Sequence, residues 1–313
     1  MTKILITGAL GQIGSELSVA LKKIYGELNV VTSDMREVGQ VMQEFLPYEK
    51  LDVLDKSRLA EVLKKHQITV IYHLAAILSA TGEKNPNLCW DVNITGLHNV
   101  LEVARQLNIK QIICPSSIAV FGPETPAINT PQQTVILPKT MYGLTKAAGE
   151  LLCDYYVAKF GLDIRGLRYP GLISYKTLPG GGTTDYAVEI FHEAISKKSY
   201  NCFLNADTTL PMMYMPDAIR GTIQLAEADF SKLKNHSNFN FAGISFSCAQ
   251  LADEIKKHIP EFKIEYKPDF RQQIANSWPQ SIDDSQARQQ WGWQVEYDLK
   301  KMTEDMILNL RKN

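Results

Sequence analysis

The sequence predicts an α/β chain built on a doubly wound parallel sheet, with a smaller α/β region in its C-terminal half. Three observations predict it. A glycine-rich turn stands between an apolar run and an amphipathic stretch near the start of the chain. Short apolar runs then alternate with helical stretches five times. Small or polar residues follow those runs one after another, on the edge where such sheets bind ligands.

The 313 residues are 45% hydrophobic and 21% charged, enough for a full core and one or two domains. Net charge is −1 with no basic block, which argues against nucleic acid as the main partner. The cysteines (Cys89, Cys114, Cys153, Cys202, Cys248) are odd in number and have no metal spacing, so they read as buried thiols in a reducing compartment. The histidines form no ligand cluster either, and no metal is expected. No apolar run approaches the roughly 20 residues that span a bilayer. Met1 leads almost directly into a strand-like run, leaving no room for a targeting peptide. A soluble, cytoplasmic protein is the expectation.

Residues 3–7 are rich in β-branched side chains and read as a buried parallel strand. Gly8, Gly11 and Gly14 follow, spaced GxxGxxG around Gln12 and Ile13, and an amphipathic helix covers 15–23. Strand, glycine turn and helix form the Rossmann context in which such glycines bind a dinucleotide. Gly8 allows the tight turn, Gly11 lets the backbone approach a pyrophosphate, and Gly14 lets the helix pack closely. The helix N-terminus offers free N–H groups to the phosphates.

A second strand, 28–32, is ended by Ser33-Asp34. Asp34 lies 20 residues after Gly14, where an acid accepts hydrogen bonds from an adenosine ribose. A turn or cap aspartate is the plainer reading. Facing a 2′-phosphate, that carboxylate would cost about 4 kcal/mol at roughly 4 Å and an effective dielectric near 20. NAD is therefore expected over NADP, and Arg36 is assigned to packing beside the adenine. A third strand, 48–51, delivers Asp52 and Val53 to the adenine edge, and Ser57 caps a helix running to His66.

The fourth strand, 70–74, ends in Leu74-Ala75-Ala76, small enough for a cofactor to lie flat, though helix packing explains the alanines equally well. A long helix over 87–107 contains Asn93, which is expected to be buried and to tie the fourth strand to a later helix. The fifth strand, 111–115, delivers Ser116 and Ser117. Residues 121–140 hold Pro123, Pro126, Pro131 and Pro138, too many for a regular element, and are expected to cover the site. A helix over 142–160 and a sixth strand, 163–168, follow, with Tyr169 and Pro170 at the strand's end joining the cofactor set.

Beyond this point the alternation fails. Residues 178–185 are a glycine stretch leading into a capped helix, 186–196. They read either as a mobile surface loop or as a substrate lid presenting Gly182, Thr183, Thr184 and Asp185. Residues 213–215 and the helix 216–228 are expected to return to the main sheet. A strand at 239–241, a helix at 247–258, a strand at 263–266 and closing helices at 283–291 and 299–311 complete the chain, with Trp278 in a polar loop. On this reading 1–168, joined by 213–242, bind the dinucleotide. Residues 169–212 and 243–313 supply the substrate-binding region and the closing helices.

The chemistry is assigned to Tyr142 and Lys146. Four residues apart on a helix, they share one face. A phenol with its ordinary pKa of about 10 is a poor base near neutrality. An ammonium one turn away favours the phenolate. A tyrosine tuned in this way can take a proton from a hydroxyl or return it to a carbonyl. Tyr-x-x-x-Lys alone occurs by chance in many helices, so the weight comes from the residues upstream.

Gly8/Gly11/Gly14, Asp34, Asp52, His73-Leu-Ala-Ala76, Asn93, Ser117 and Tyr142/Lys146 together resemble the extended short-chain dehydrogenase/reductase family, over nearly the whole chain. That group includes the nucleotide-sugar epimerases and dehydratases. The stretches 168–174, 179–186, 210–217 and 277–284 resemble, more narrowly, the short-chain L-threonine 3-dehydrogenases. The resemblance implies NAD-dependent oxidation of the L-threonine C3 hydroxyl to 2-amino-3-oxobutyrate. It makes Tyr142 the base, and Ser117 the group that holds the reacting oxygen, with Ser116 its near alternative. Lys146 assists the tyrosine and bridges the nicotinamide ribose.

A buried amino acid also needs its charges paired. Asp185 is the candidate for the ammonium, Ser79, Thr183 and Thr184 for the carboxylate or hydroxyl, and Trp278 for a wall. The glycines at 180–182 would let the lid close. Related dimers imply a homodimer through the helices 87–107 and 142–160. Pro115, just ahead of the serines, departs from the family pattern and predicts an unusual backbone at the catalytic hydroxyl. Two other readings stand. An epimerase or dehydratase needs a basic diphosphate pocket in the C-terminal half, where Arg220, Arg271 and Arg288 form no convincing cluster. A non-catalytic NAD-binding sensor would have no need of the serine, tyrosine and lysine together.

Overall fold

The first seven strands are β1 (Ile4–Thr7), β2 (Val30–Asp34), β3 (Tyr48–Lys50), β4 (Val70–His73), β5 (Gln111–Ile113), β6 (Ser116–Ser117) and β7 (Ile164–Arg165). All but β6 form one parallel sheet, ordered β3-β2-β1-β4-β5-β7. The computed structural model describes residues 2–37, 43–178, 180 and 182–312. The chain winds outward in both directions from β1 and β4, so the switch point lies between them.

Side-chain alternation explains the apolar runs. Ile4 and Ile6 enter one core with Leu17, Leu21, Ala218 and Leu225 of the helices Gln12–Tyr25 and Met215–Glu227. Leu5 enters the other, with Leu59, Val62, Leu101 and Cys153 of the helices Lys56–Lys65, Gly96–Gln106 and Met141–Phe160. Burial on both faces is what makes these strands read as continuous apolar runs.

Two local readings need correction. Asp55, not Ser57, caps the helix Lys56–Lys65: its carboxylate accepts from the Arg58 N–H at 2.9 Å. The expected helix 87–107 is broken. Pro86–Trp90 passes through a π turn, Asp91–Thr95, into Gly96–Gln106, and buried Asn93 sits in that wider turn.

Seven more strands follow: β8 (Leu167–Tyr169), β9 (Gly171–Ile173), β10 (Ser199–Cys202), β11 (Thr209–Tyr214), β12 (Phe239–Asn240), β13 (Ile244–Ser247) and β14 (Lys263–Tyr266). β6 pairs in parallel with β8, Ser116 opposite Arg168 and Ser117 opposite Tyr169, and β8 also pairs with β12. Ser117 has φ −153° and ψ 154°, ordinary extended backbone, so Pro115 does not distort it. The irregularity falls instead on the breaks before β6 and β8. Pro115 has no N–H for a ladder. At Gly166 a Cβ would lie 2.4 Å from the carbonyl oxygens of Cys114 and Ser237.

β11 joins β9 and β13 rather than the six-stranded sheet, while the helix after it, Met215–Glu227, packs on Gln12–Tyr25. β14 pairs with β10. The proline-rich stretch 121–140 makes no regular element beyond an isolated bridge between Thr130 and Ile282 and a short turn at its start. It does not cover the site. Gln132 bonds to the backbone of Asn238 and Asn240, and Thr130 to that of Ser281 and Asp283, so the segment braces the closing loops.

Candidate active site

The C-terminal ends of β1, β4, β6 and β8 open into a cleft with a cavity volume of about 220 Å³, partly open to solvent. Gly8 adopts φ +68°, and a Cβ there would lie 2.7 Å from Ala75 N. At Gly14 a Cβ would lie 2.3 Å from Gly8 O. Gly11 differs: only Gly8 O is near, at 3.2 Å, and its remaining side is clear for a ligand. The helix Gln12–Tyr25 starts at Gly11 without a side-chain cap, so its first N–H groups are available to an anion. The turn fits a dinucleotide pyrophosphate, with Gln12 and Ile13 also lining the cleft.

Asp34 ends β2 beside this turn. Its carboxylate accepts from Leu10 N at 3.2 Å and from Arg36 Nε and Nη2 at 2.9 and 3.0 Å. Burial works to raise its pKa, but the hydrogen bonds and charge of Arg36, with the Leu10 N–H, outweigh burial and hold the carboxyl below its ordinary range. Arg36 is paired with Asp34 and remains largely exposed. Asp52 is exposed and accepts from Leu54 N at 2.9 Å, and Val53 is buried where a Cβ on Gly96 would touch it at 2.7 Å. Neither lines the cleft, nor does Ala75, whose backbone closes over Gly8.

Tyr142 and Lys146 both line the cleft, on a helix capped by the Thr140 hydroxyl, which accepts from Gly143 N at 3.0 Å. Lys146 Nζ lies 5.8 Å from the Tyr142 ring centre and donates to Pro115 O at 2.9 Å. Ser117 also lines the cleft, its Oγ accepting from Ala119 N at 3.2 Å. Ser116, one residue earlier in an extended strand, turns the other way and donates to Glu150 Oε1 at 2.5 Å. Ser116 nonetheless lines the cleft beside Ser117. Asn93 is buried, as expected. Its amide bonds to Ile77 N at 2.8 Å, Ile77 O at 3.0 Å and Thr145 Oγ1 at 3.0 Å, joining the segment after β4 to the tyrosine-bearing helix. It faces a small cavity behind the cleft, not the cleft itself.

His73 is a cleft residue that sequence reasoning passed over, although its place at a strand end before Leu-Ala-Ala was a signal. It is buried with Nδ1 2.9 Å from Thr7 Oγ1. Burial, and then the charge of Lys146, push its pKa down to about 3. Tyr169 presents its ring to the cleft but bonds its hydroxyl to Thr222, and burial pushes that phenol far up.

The cleft is also lined by Ser79, Gly182, Thr183, Thr184, Asp185 and Trp278. Thr183 is buried and its hydroxyl has no hydrogen-bond partner, which suits a polar ligand. Asp185 is 8% exposed, and its carboxylate accepts from Gly182 N at 2.7 Å instead of capping the helix Tyr186–Ser196. Of the glycines expected to work the lid, Gly181 lies outside the described residues. Among the described residues lining the cleft, Lys146 is the sole lysine or arginine. Arg220, Arg271 and Arg288 are paired with Asp217, Asp269 and Asp284 instead.

The sequence profile of the NAD dependent epimerase/dehydratase family matches residues 4–241. The chain belongs to that family. NAD is its cofactor, and the six-stranded parallel sheet is the fold of its solved neighbours. A curated relative from Staphylococcus saprophyticus, described as an uncharacterized epimerase/dehydratase, is 49% identical over 310 residues, 98% of this chain and 96% of that protein. Among solved structures, the holo form of a GalE-like L-threonine dehydrogenase from Cupriavidus necator is 55% identical at a TM-score of 0.96, covering 98% of this chain and 99% of that one. An L-threonine dehydrogenase from Clostridium difficile is 51% identical at a TM-score of 0.97, covering 100% and 98%.

In this NAD-dependent enzyme, neutral His73 leaves a pH signature. Above pH about 6.5 the ring is neutral in folded and unfolded chains alike. Below that, the unfolded chain takes up a proton that the folded one refuses until about pH 3, so stability falls as pH falls. At about 1.4 kcal/mol per pKa unit, the loss from this residue reaches about 2 kcal/mol by about pH 5. Urea unfolding of His73→Gln between pH 7 and pH 5 should show a shallower loss than the parent. An unchanged slope would contradict a buried neutral ring.

Proposed function

We propose that the enzyme oxidises the C3 hydroxyl of L-threonine with NAD, giving 2-amino-3-oxobutyrate and NADH. The observation that carries this reading is the meeting, in one cleft, of Tyr142, Lys146 and Ser117 with the carboxylate of Asp185 and the unpartnered hydroxyl of Thr183. The likeness to L-threonine dehydrogenases over nearly the full chain supports it.

Tyr142 takes the proton from the C3 hydroxyl, and Lys146 stabilises the negative charge on the phenol oxygen. Ser117 donates a hydrogen bond to the substrate oxygen as it becomes a carbonyl and fixes its position. NAD, when bound, supplies the hydride acceptor. Gly8, Gly11, Gln12, Ile13 and Gly14 would hold its pyrophosphate. Asp34 would accept from the adenosine ribose, and Asp52 and Val53, outside the cleft, would stand near the adenine end. Leu74, Ala76, Tyr169 and Pro170 would flank the nicotinamide half, Lys146 would reach its ribose, and Ala75 and Asn93 would act behind them. Arg36 is already paired with Asp34, which favours NAD over a cofactor carrying a 2′-phosphate.

Asp185 accepts one N–H and keeps acceptor capacity for the substrate ammonium. Ser79, Thr183 and Thr184 would meet the carboxylate, and Trp278 would wall the pocket. The sugar-nucleotide alternative is less well served: its diphosphate calls for further cations beside Lys146. Residues 1–168 with 213–242 would hold the dinucleotide, and 169–212 with 243–313 would shape the substrate end. The free cysteines suit a reducing cytoplasm. A homodimer is supported by Leu144, Leu151 and Tyr155, exposed along one face of Met141–Phe160, and by exposed Leu88 and Trp90 on the neighbouring helix.

Tyr142→Phe should abolish threonine-dependent NADH formation while leaving NAD affinity within about twofold of the parent, since only the proton acceptor is lost. A fully active variant would refute the assignment. In sedimentation, the parent should run at twice the 35.2 kDa chain mass, and Leu151→Glu at the mass of one chain. A parent that sediments as one chain would refute the dimer.

A further inference from the structure

Glu150 and Arg168 form an ion pair sealed from solvent, with side chains 4% and 2% exposed. Arg168 Nε donates to Glu150 Oε1 at 2.9 Å and Nη2 to Oε2 at 2.8 Å. Its Nη1 donates to Gln132 O at 3.1 Å and Asn240 Oδ1 at 3.0 Å, and its guanidinium lies 5.1 Å from the Phe121 ring centre. Ser116 completes the group through its 2.5 Å hydrogen bond to Glu150 Oε1.

The mechanism above uses none of these groups. A buried ion pair rarely adds net stability over apolar residues of similar volume, so stability alone does not account for it. Its location does. Glu150 stands one helical turn after Lys146 and two after Tyr142, on the same face. Arg168 lies opposite Ser116 in the parallel register of β8 and β6. Because side chains alternate along β6, fixing Ser116 on the Glu150 side turns Ser117 toward the cleft. One carboxylate thus connects the helix carrying Tyr142 and Lys146 to the strand carrying Ser117. The bond from Lys146 to Pro115 O makes a second connection, but through a group the reaction itself engages.

We propose that Glu150 and Arg168 are positioning residues, a buried clamp that acts through Ser116 to set Ser117 against Tyr142 and Lys146. The inference rests on the dehydrogenase reading above. A misplacement of about 1 Å in such a set costs about 100-fold in rate even when every reacting group is present.

Two variants separate positioning from simple structural support. Glu150→Leu combined with Arg168→Met leaves no unpaired buried charge, and Ser116→Ala removes one hydroxyl from the clamp. Both are assayed for thermal unfolding, NAD affinity, and kcat and KM with L-threonine. The double variant should melt near the parent and bind NAD within about twofold, yet lose about 10- to 100-fold in kcat with a smaller change in KM. Ser116→Ala should lose about tenfold in kcat at an unchanged Tm. A stable double variant with the parent's kcat overturns the proposal. If the double variant does not fold, Ser116→Ala decides: reduced kcat at unchanged Tm supports the clamp, and the parent's kcat overturns it. A parent enzyme that fails to turn over L-threonine overturns the dehydrogenase reading and this inference with it. An active parent beside fully active variants overturns this inference alone.

Discussion

Burial of the six-stranded sheet on both faces is the constraint from which the rest follows. With Ile4 and Ile6 packed into one core and Leu5 into the other, the interior of β1 has no room for a functional polar group. The same holds for Val30 and Val31 in β2 and for Ile71 and Tyr72 in β4. Groups that bind or react can appear only where the strands end, and there they do appear: the glycine turn after β1, Asp34 closing β2, His73 closing β4 and Ser117 in β6. The edge is also where the first helix presents its uncapped N-terminus. Location of the site is in this sense a consequence of core packing.

A sheet edge alone cannot supply a base held at fixed distance from a hydroxyl. The helix Met141–Phe160 brings Tyr142 and Lys146 there, and polar groups buried behind it fix its seat. Asn93 joins it to the backbone after β4, and Glu150 joins it to β6 and β8. These contacts are costly unless every partner is satisfied, because a buried amide or carboxylate left unpaired is destabilising. Here the partners are present. Asn93 meets four, two backbone groups of Ile77, the Thr145 hydroxyl and the Cys89 sulfur, and Glu150 meets Arg168 and Ser116. Among the described residues lining the cleft, the Thr183 hydroxyl has no partner, so a ligand rather than the protein can complete it.

What was legible in the sequence was what depends on near neighbours. The run from β1 through Gly8, Gly11 and Gly14 is a local pattern, and so is the four-residue spacing of Tyr142 and Lys146. The burial of Asn93 was also anticipated, as a tie between the fourth strand and the later helix. The illegible parts depend on partners far away in the chain. Ser116 and Ser117 are chemically identical and both line the cleft, and only the packing of β6 beside the tyrosine-bearing helix puts the Ser116 hydroxyl on Glu150. The pairing of Arg36 with Asp34 was likewise not legible. The prolines of 121–140 announced an irregular segment, but not that it would brace the closing loops. β9 and β10 are three and four residues long, and β10 is largely polar, so neither rises above a loop in a single sequence.

The same edge could in principle serve a sugar nucleotide or an amino acid, and the difference lies in charge. The described cleft residues offer one cation, Lys146, and one buried carboxylate, Asp185, a set suited to a substrate carrying its own ammonium. The most direct measurement is the appearance of NADH when the purified enzyme and NAD meet L-threonine, run beside a panel of UDP-sugars. The account predicts saturable NADH formation with L-threonine and no conversion of any UDP-sugar. Silence with L-threonine together with epimerisation or dehydration of a UDP-sugar would contradict it.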